Sequence, residues 1–243
     1  MPASAQRTAH IVGWFFVGTF VFSIPGLLLY GPVLHHHGYV LGGGSDKQIA
    51  LGAFLEILTA ICNIGTAVAL YPIARRQNEG VALGYVASRI LESTIIVAGI
   101  VSVLSVVTLR QDLAGTGADA GTLTVAGRTL VAFHDWTFLL GPGFCAGIGN
   151  GLLLGYLMYT SRLIPRRLAL LGLIGGALAI VAATGALFGV YDRQSAPQAV
   201  LTVPEIIWEA ALAIYLVVKG FKPSPILRDP DERVPATPVA AAG

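Results

Sequence analysis

The chain is poor in charge. Asp, Glu, Lys and Arg make up 12% of its 243 residues, against about a quarter in an ordinary soluble domain. The charges nearly cancel, at a formal +2. They sit in short connections rather than in a basic patch, which argues against a nucleic-acid partner. Cysteine is almost absent: Cys62 and Cys145 both fall inside apolar runs, so they read as small buried hydrophobes and not as a disulfide framework. Motifs that would announce a chemistry are missing as well, with neither a GxSxG elbow nor an HExxH pair. No A-x-A-like site closes the first apolar run, at 11–34. That run is also too long for a signal-peptide core, so it reads as a retained span.

What remains is hydrophobic: 55% of the residues, in runs of about 20, enough at 1.5 Å per residue to cross a hydrocarbon core of roughly 30 Å. The pattern predicts an all-α polytopic bundle of six transmembrane helices at about 11–34, 48–74, 81–109, 128–160, 168–190 and 199–218. Pro25-Gly26 predicts a kink in the first span, and Pro142 a tilt or break in the fourth, which is longer than needed. His35-His36-His37 falls in a polar connection and reads as a solvated cluster. With the N-terminus inside, ten Lys and Arg face inward (Arg7, Arg75, Arg76, Arg162, Arg166, Arg167, Lys219, Lys222, Arg228 and Arg233). Four face outward: Lys47, Arg110, Arg128 and Arg193. The positive-inside rule then puts both termini in the cytoplasm. Residues 1–10 form a cytoplasmic N-terminus, 11–220 the membrane domain, and 221–243 a proline-rich tail expected to be disordered.

Ionisable residues inside apolar spans are expensive and commonly functional. Depth along the spans puts Glu56, Asp135 and Glu205 about 10 Å from the outer surface, and Glu92 and Glu209 about 15 Å deep, with Arg89 one turn further in. Glu56 and Asn63 share a helix face, as do Arg89 with Glu92 and Glu205 with Glu209. Five carboxylates against Arg89 and His134 leave a negative excess that protons, water or a bound cation must balance. The expectation is a polar cavity lined by Glu56, Arg89, Glu92, His134, Asp135, Glu205 and Glu209 that binds or translocates a small solute, ion or proton. Two other readings stand beside it: a metal-dependent hydrolase acting on lipid, and a structural or accessory membrane protein whose polar pairs specify packing. His134 and Asp135 are weak metal candidates, because adjacent helical residues point about 100° apart. Gly143, Gly147, Gly151 and Gly155 recur every fourth residue, which predicts close packing against a neighbouring helix.

Several of these stretches resemble a known family: Gly84-Tyr85 with Arg89-Ile90-Leu91-Glu92; His134-Asp135-Trp136 with Leu139-Leu140-Gly141-Pro142-Gly143; and Leu153-Leu154-Gly155-Tyr156 with Arg162 and Pro165-Arg166. Trp208-Glu209 and Val217-Val218-Lys219-Gly220-Phe221 complete the set. From about Thr8 to Pro223 the chain resembles the bacterial multi-pass membrane proteins catalogued as domain of unknown function 4386. The resemblance implies six or seven helices in the cytoplasmic membrane and no established activity. It marks Arg89, Glu92, His134, Asp135 and Glu209 as family-type positions without giving them roles.

Overall fold

The computed structural model describes residues 3–36, 38–42, 44–113, 116–193 and 195–227. Six of its helices are long and apolar enough to cross a membrane: α1 (Ala3–Leu29), α2 (Asp46–Ala74), α3 (Glu79–Leu113), α4 (Ala120–Ser161), α5 (Arg166–Leu187) and α6 (Ala196–Val218). No strand occurs among the described residues. The all-α, six-span architecture expected from the sequence is the one observed, so the chain is a multi-pass membrane protein and its environment is a lipid bilayer.

Each of the six helices starts before its expected apolar run, whereas α1 and α5 stop short of theirs, at Leu29 and Leu187. After α1 a short helix, Gly31–His35, follows with proline in its first turn, a position where the missing N–H costs nothing. Pro25, expected to mark a kink, lies inside the continuous α1. His35 and His36 are exposed, while His37 lies outside the described residues.

Each helix packs on its neighbours in sequence, and α6 returns against α1, so the six close into a ring. Residue size sorts in the reverse of a water-soluble bundle. Ala9, Ala53, Ala67, Ala82, Ala179 and Ala183 are buried, whereas Ile24, Leu28, Phe54, Ile61, Val101 and Ile214 are exposed. Lipid tails solvate a leucine as well as a protein core does, so large side chains have no reason to turn inward and close backbone packing decides the interior. The closest approach joins α4 to α5. A methyl at Gly147 would stand 3.0 Å from the carbonyl oxygen of Gly176, one at Gly155 3.1 Å from the amide nitrogen of Leu173, and one at Gly151 would overlap the backbone of Gly176. Gly143 is looser, with its nearest neighbour at 3.8 Å.

At the end that carries the termini, Gln6 forms two hydrogen bonds with Phe221: Nε2 donates to the carbonyl at 2.9 Å, and Oε1 accepts from the amide at 3.0 Å. The stretch 221–227, expected as the start of a free tail, folds back here. The Lys222 amide donates to the Leu163 carbonyl at 2.7 Å, the Ser224 hydroxyl donates to the Ser161 carbonyl at 2.5 Å, and Leu227 is buried. Residues 228–243 lie outside the described residues.

At the far end Asp46 gathers three donors: the Tyr39 hydroxyl at 2.8 Å, the Gln111 amide at 2.9 Å and Arg110 at 3.0 Å. Burial, reinforced by Asp46, pushes the Tyr39 phenol up to about 12, so it stays a proton donor. Asp119 caps α4 by accepting from the Thr122 amide at 2.8 Å, which holds its carboxyl below the usual range.

The α4–α5 contact generates a direct comparison. Gly151→Ala should destabilise the bundle by about 1–3 kcal/mol, because backbone must move. Gly84→Ala, whose new methyl meets Leu153 at an ordinary 3.6 Å, should leave the melting temperature unchanged or raise it. Thermal unfolding of the two variants in one detergent checks this, with equal melting temperatures as the contrary result.

Candidate functional site

The site is built around a widened stretch of α4. Pro142 cannot donate the backbone bond expected of it, and from Leu139 to Leu154 the helix relaxes into two π-helical runs, 139–145 and 147–154. The Ala146 amide, for example, reaches five residues back to the Gly141 carbonyl. The break expected at Pro142 is therefore a widening and not a gap. Side chains from neighbouring helices take up carbonyls along it. Ser88 of α3 donates to the Cys145 carbonyl at 3.1 Å, and the Trp208 indole of α6 donates to the Asn150 carbonyl at 3.0 Å. π-helical insertions of this kind frequently accompany function.

Beside it lies a closed triad. Arg89 donates to the Glu92 carboxylate at 2.5 Å and also to the side-chain oxygen of Asn63. Asn63 in turn donates to the other Glu92 oxygen at 3.3 Å. All three are buried, so a charge-assisted network ties α2 to α3 where no water competes. Thr66 and Tyr85 extend it, their hydroxyls 3.2 Å apart. Across the ring, Glu209 accepts from Asn150 at 2.5 Å. The Glu205 carboxylate fits into the notch of Gly151 and Gly175, 2.9 Å from where either would carry a Cβ. Glu205, Glu209 and Glu92 all lie in the electrostatic field of Arg89, yet the ion pair of Arg89 is with Glu92.

Four of the seven expected residues thus come together: Arg89, Glu92, Glu205 and Glu209. Glu205, expected level with Glu56 and Asp135, belongs with the deeper group. Glu56 lies toward the far end within electrostatic reach of the Tyr30 hydroxyl. The buried His134 ring meets Tyr30 edge-on at 5.7 Å and stacks on Phe138 at 6.5 Å. Asp135 points another way, to a cleft at the far end, where its carboxylate is 3.9 Å from Arg193. His134 and Asp135 accordingly do not converge. Among the described residues no three His, Cys, Asp or Glu side chains gather as a metal would need, and the hydrolase reading gains no support from the geometry.

Asn150 and Tyr30, which touch the candidate residues Glu209 and His134, are neighbours that sequence reasoning misses. Asn150 carries a signal, as the one amide inside a run of glycines. Tyr30 carries none, since hydropathy places it within a continuous span.

An all-helical ring with a buried arginine–carboxylate core defines a class, the polytopic α-helical membrane proteins with an ionisable interior. The particular family follows from the chain itself. Residues 11–220 match the model described as Domain of unknown function (DUF4386), and the chain belongs to that family. No curated protein and no solved structure matches it.

The triad predicts strong coupling between its members. Arg89→Met strands Glu92 without its cation and should cost roughly 3–5 kcal/mol. Adding Glu92→Met should recover part of that loss. A double-mutant cycle on denaturation in mixed micelles measures it, and simple additivity would show the two side chains to be independent.

Proposed function

We propose that this protein binds and passes a proton or small cation through the ring, with Glu205, Glu209, Glu92 and Arg89 as the carrying group. One observation carries the reading. Both oxygens of the buried Glu205 carboxylate, and the side-chain oxygen of Asn150, have no hydrogen-bond donor among the described residues. Buried acceptors without donors are costly, and a proton on Glu205 or a cation beside it would lower that cost. A large solute fits less well. The Arg89–Asn63–Glu92 triad is closed by direct bonds, and the far-end cleft is lined by none of the four carrying residues. His134, Tyr30 and Glu56 then form the approach from the far end, and the widened α4 supplies the flexible wall.

The described Lys and Arg support the orientation. Arg7, Arg75, Arg76, Arg162, Arg166, Arg167, Lys219 and Lys222 belong to the end that carries the termini, against Lys47, Arg110, Arg128 and Arg193 at the far end. We infer that the termini are cytoplasmic and that the bilayer is the cytoplasmic membrane. The closed triad also favours a second reading, a purely architectural role in which the polar groups fix helix register.

Proteoliposomes loaded with a pH-sensitive dye and given a potassium diffusion potential, with or without a sodium gradient, separate the two. The wild type should pass protons or sodium, and Glu205→Gln, a neutral isostere, should abolish the flux while the melting temperature holds or rises. Equal flux in wild type and Glu205→Gln would sink the carrier reading. A wild type impermeable to both ions leaves the architectural one.

A further inference from the structure

The far-end cleft lies apart from the buried core and carries its own chemistry. It is a cavity of about 380 Å³ bounded by residues 33–36, 39 and 40, the far half of α3, residues 127–135 of α4 and the loop at 192–193. That size suits a small ligand. Val40, Val106 and Val131 line its apolar side, and Tyr39, pinned by Asp46 and covered by Arg110 at 4.8 Å, makes it rigid.

Its charged groups are held in place but unspent. The Arg193 guanidinium lies over the Trp136 ring at 4.5 Å, with the Asp135 carboxylate 3.9 Å away. That separation fixes the side chain electrostatically but is too long for a hydrogen bond. The Nη1 of Arg193 is shut off from solvent and has no acceptor among the described residues. A charged donor in that condition loses its hydration and gains nothing in return, unless an oxyanion arrives to take the planar fork in two parallel bonds. Arg128, exposed on the same cleft, makes no hydrogen bond or ion pair among the described residues.

The cleft is not simply cationic. Asp135 and Asp192 line it too, so two arginines face two aspartates and a bare anion gains little net attraction. A ligand that carries both signs matches both pairs.

We propose that this cleft is a binding site for a small zwitterion, an oxyanion with an ammonium group close by. Its phosphate or carboxylate is gripped by Arg193 and Arg128, its ammonium faces Asp192, and its carbon skeleton rests on the valines. Asp135 acts as a positioning residue for Arg193. The same chemistry occurs on a soluble molecule and on a phospholipid headgroup, and the cleft opens at helix ends where either can reach it. The groups involved lie outside the carrying core, so the site stands or falls independently of ion passage.

The test is a calorimetric titration of the full chain in a neutral-headgroup detergent with three probes: inorganic phosphate, O-phosphoethanolamine and dihexanoyl phosphatidylethanolamine. Phosphoethanolamine should bind at least about tenfold more tightly than phosphate, as expected when a second charged contact forms. Binding of the short-chain lipid without phosphoethanolamine supports the same site with a membrane headgroup as its source. Arg193→Gln should weaken the bound probe by at least about tenfold, and Asp192→Asn should erase the preference over inorganic phosphate. Circular dichroism and melting temperature should match the wild type in both variants, since both side chains lie on the surface loop. The proposal is overturned if no probe binds, if phosphate binds as tightly as the tighter of the two ethanolamine-bearing probes, or if the folded Arg193→Gln variant binds as the wild type does.

Discussion

A guanidinium that stays charged at any physiological pH is enclosed at 2% exposure in the Arg89 side chain, and the rest of the interior answers to it. Its acceptors must come from the protein, because neither lipid nor bulk water reaches that depth. α2 therefore has to present Asn63 at the height where α3 presents Glu92, which sets the register of those two helices. Asn63 serves twice, accepting from Arg89 and donating to Glu92, so the triad stays neutral and nearly satisfied. The demand for acceptors ends there, and the carboxylates of α6 are surplus to it. That surplus is the feature on which the proposed carrier role rests.

Helix spacing makes the arrangement possible. Glycine at 147, 151 and 155 lets α4 lie directly on α5, and glycine at 172 and 175 admits the Trp208 ring and the backbone of Glu205. Trp208, fully buried, then reaches the Asn150 carbonyl. The glycines thus have a second effect beyond close packing. They leave a hollow that the Glu205 carboxylate fills, with no hydrogen-bond donor to it among the described residues.

The six spans are legible in the sequence because an apolar run of membrane length would be insoluble almost anywhere but in a bilayer. The Arg89–Glu92 pair is legible from its three-residue spacing, and the polar character of α6 from Glu205 and Glu209 one turn apart. What spacing does not supply is azimuth. Counting residues along a span gives a height, which places Glu56, Asp135 and Glu205 in one layer. Asp135 in fact turns outward to Arg193, and Glu205 turns into the ring. The π-helical stretch from Leu139 to Leu154, with Pro142 inside it, compounds the difficulty, since its residues no longer follow the 100° step of an α-helix. Asn150 is hidden for that reason, and Tyr30 because a proline two residues later ends its helix earlier than hydropathy alone implies.

The ring closes through α1 and α6. A backbone amide of α6 comes within 2.8 Å of where Gly13 would carry a side chain, and Gln6 pairs with Phe221 across 215 positions of sequence. The two long helices farthest apart in sequence are therefore direct neighbours, and closure of the ring depends on contacts that neither can make with the helix next to it along the chain. The strap at 221–227 adds to that join through Gln6, Ser161 and Leu163.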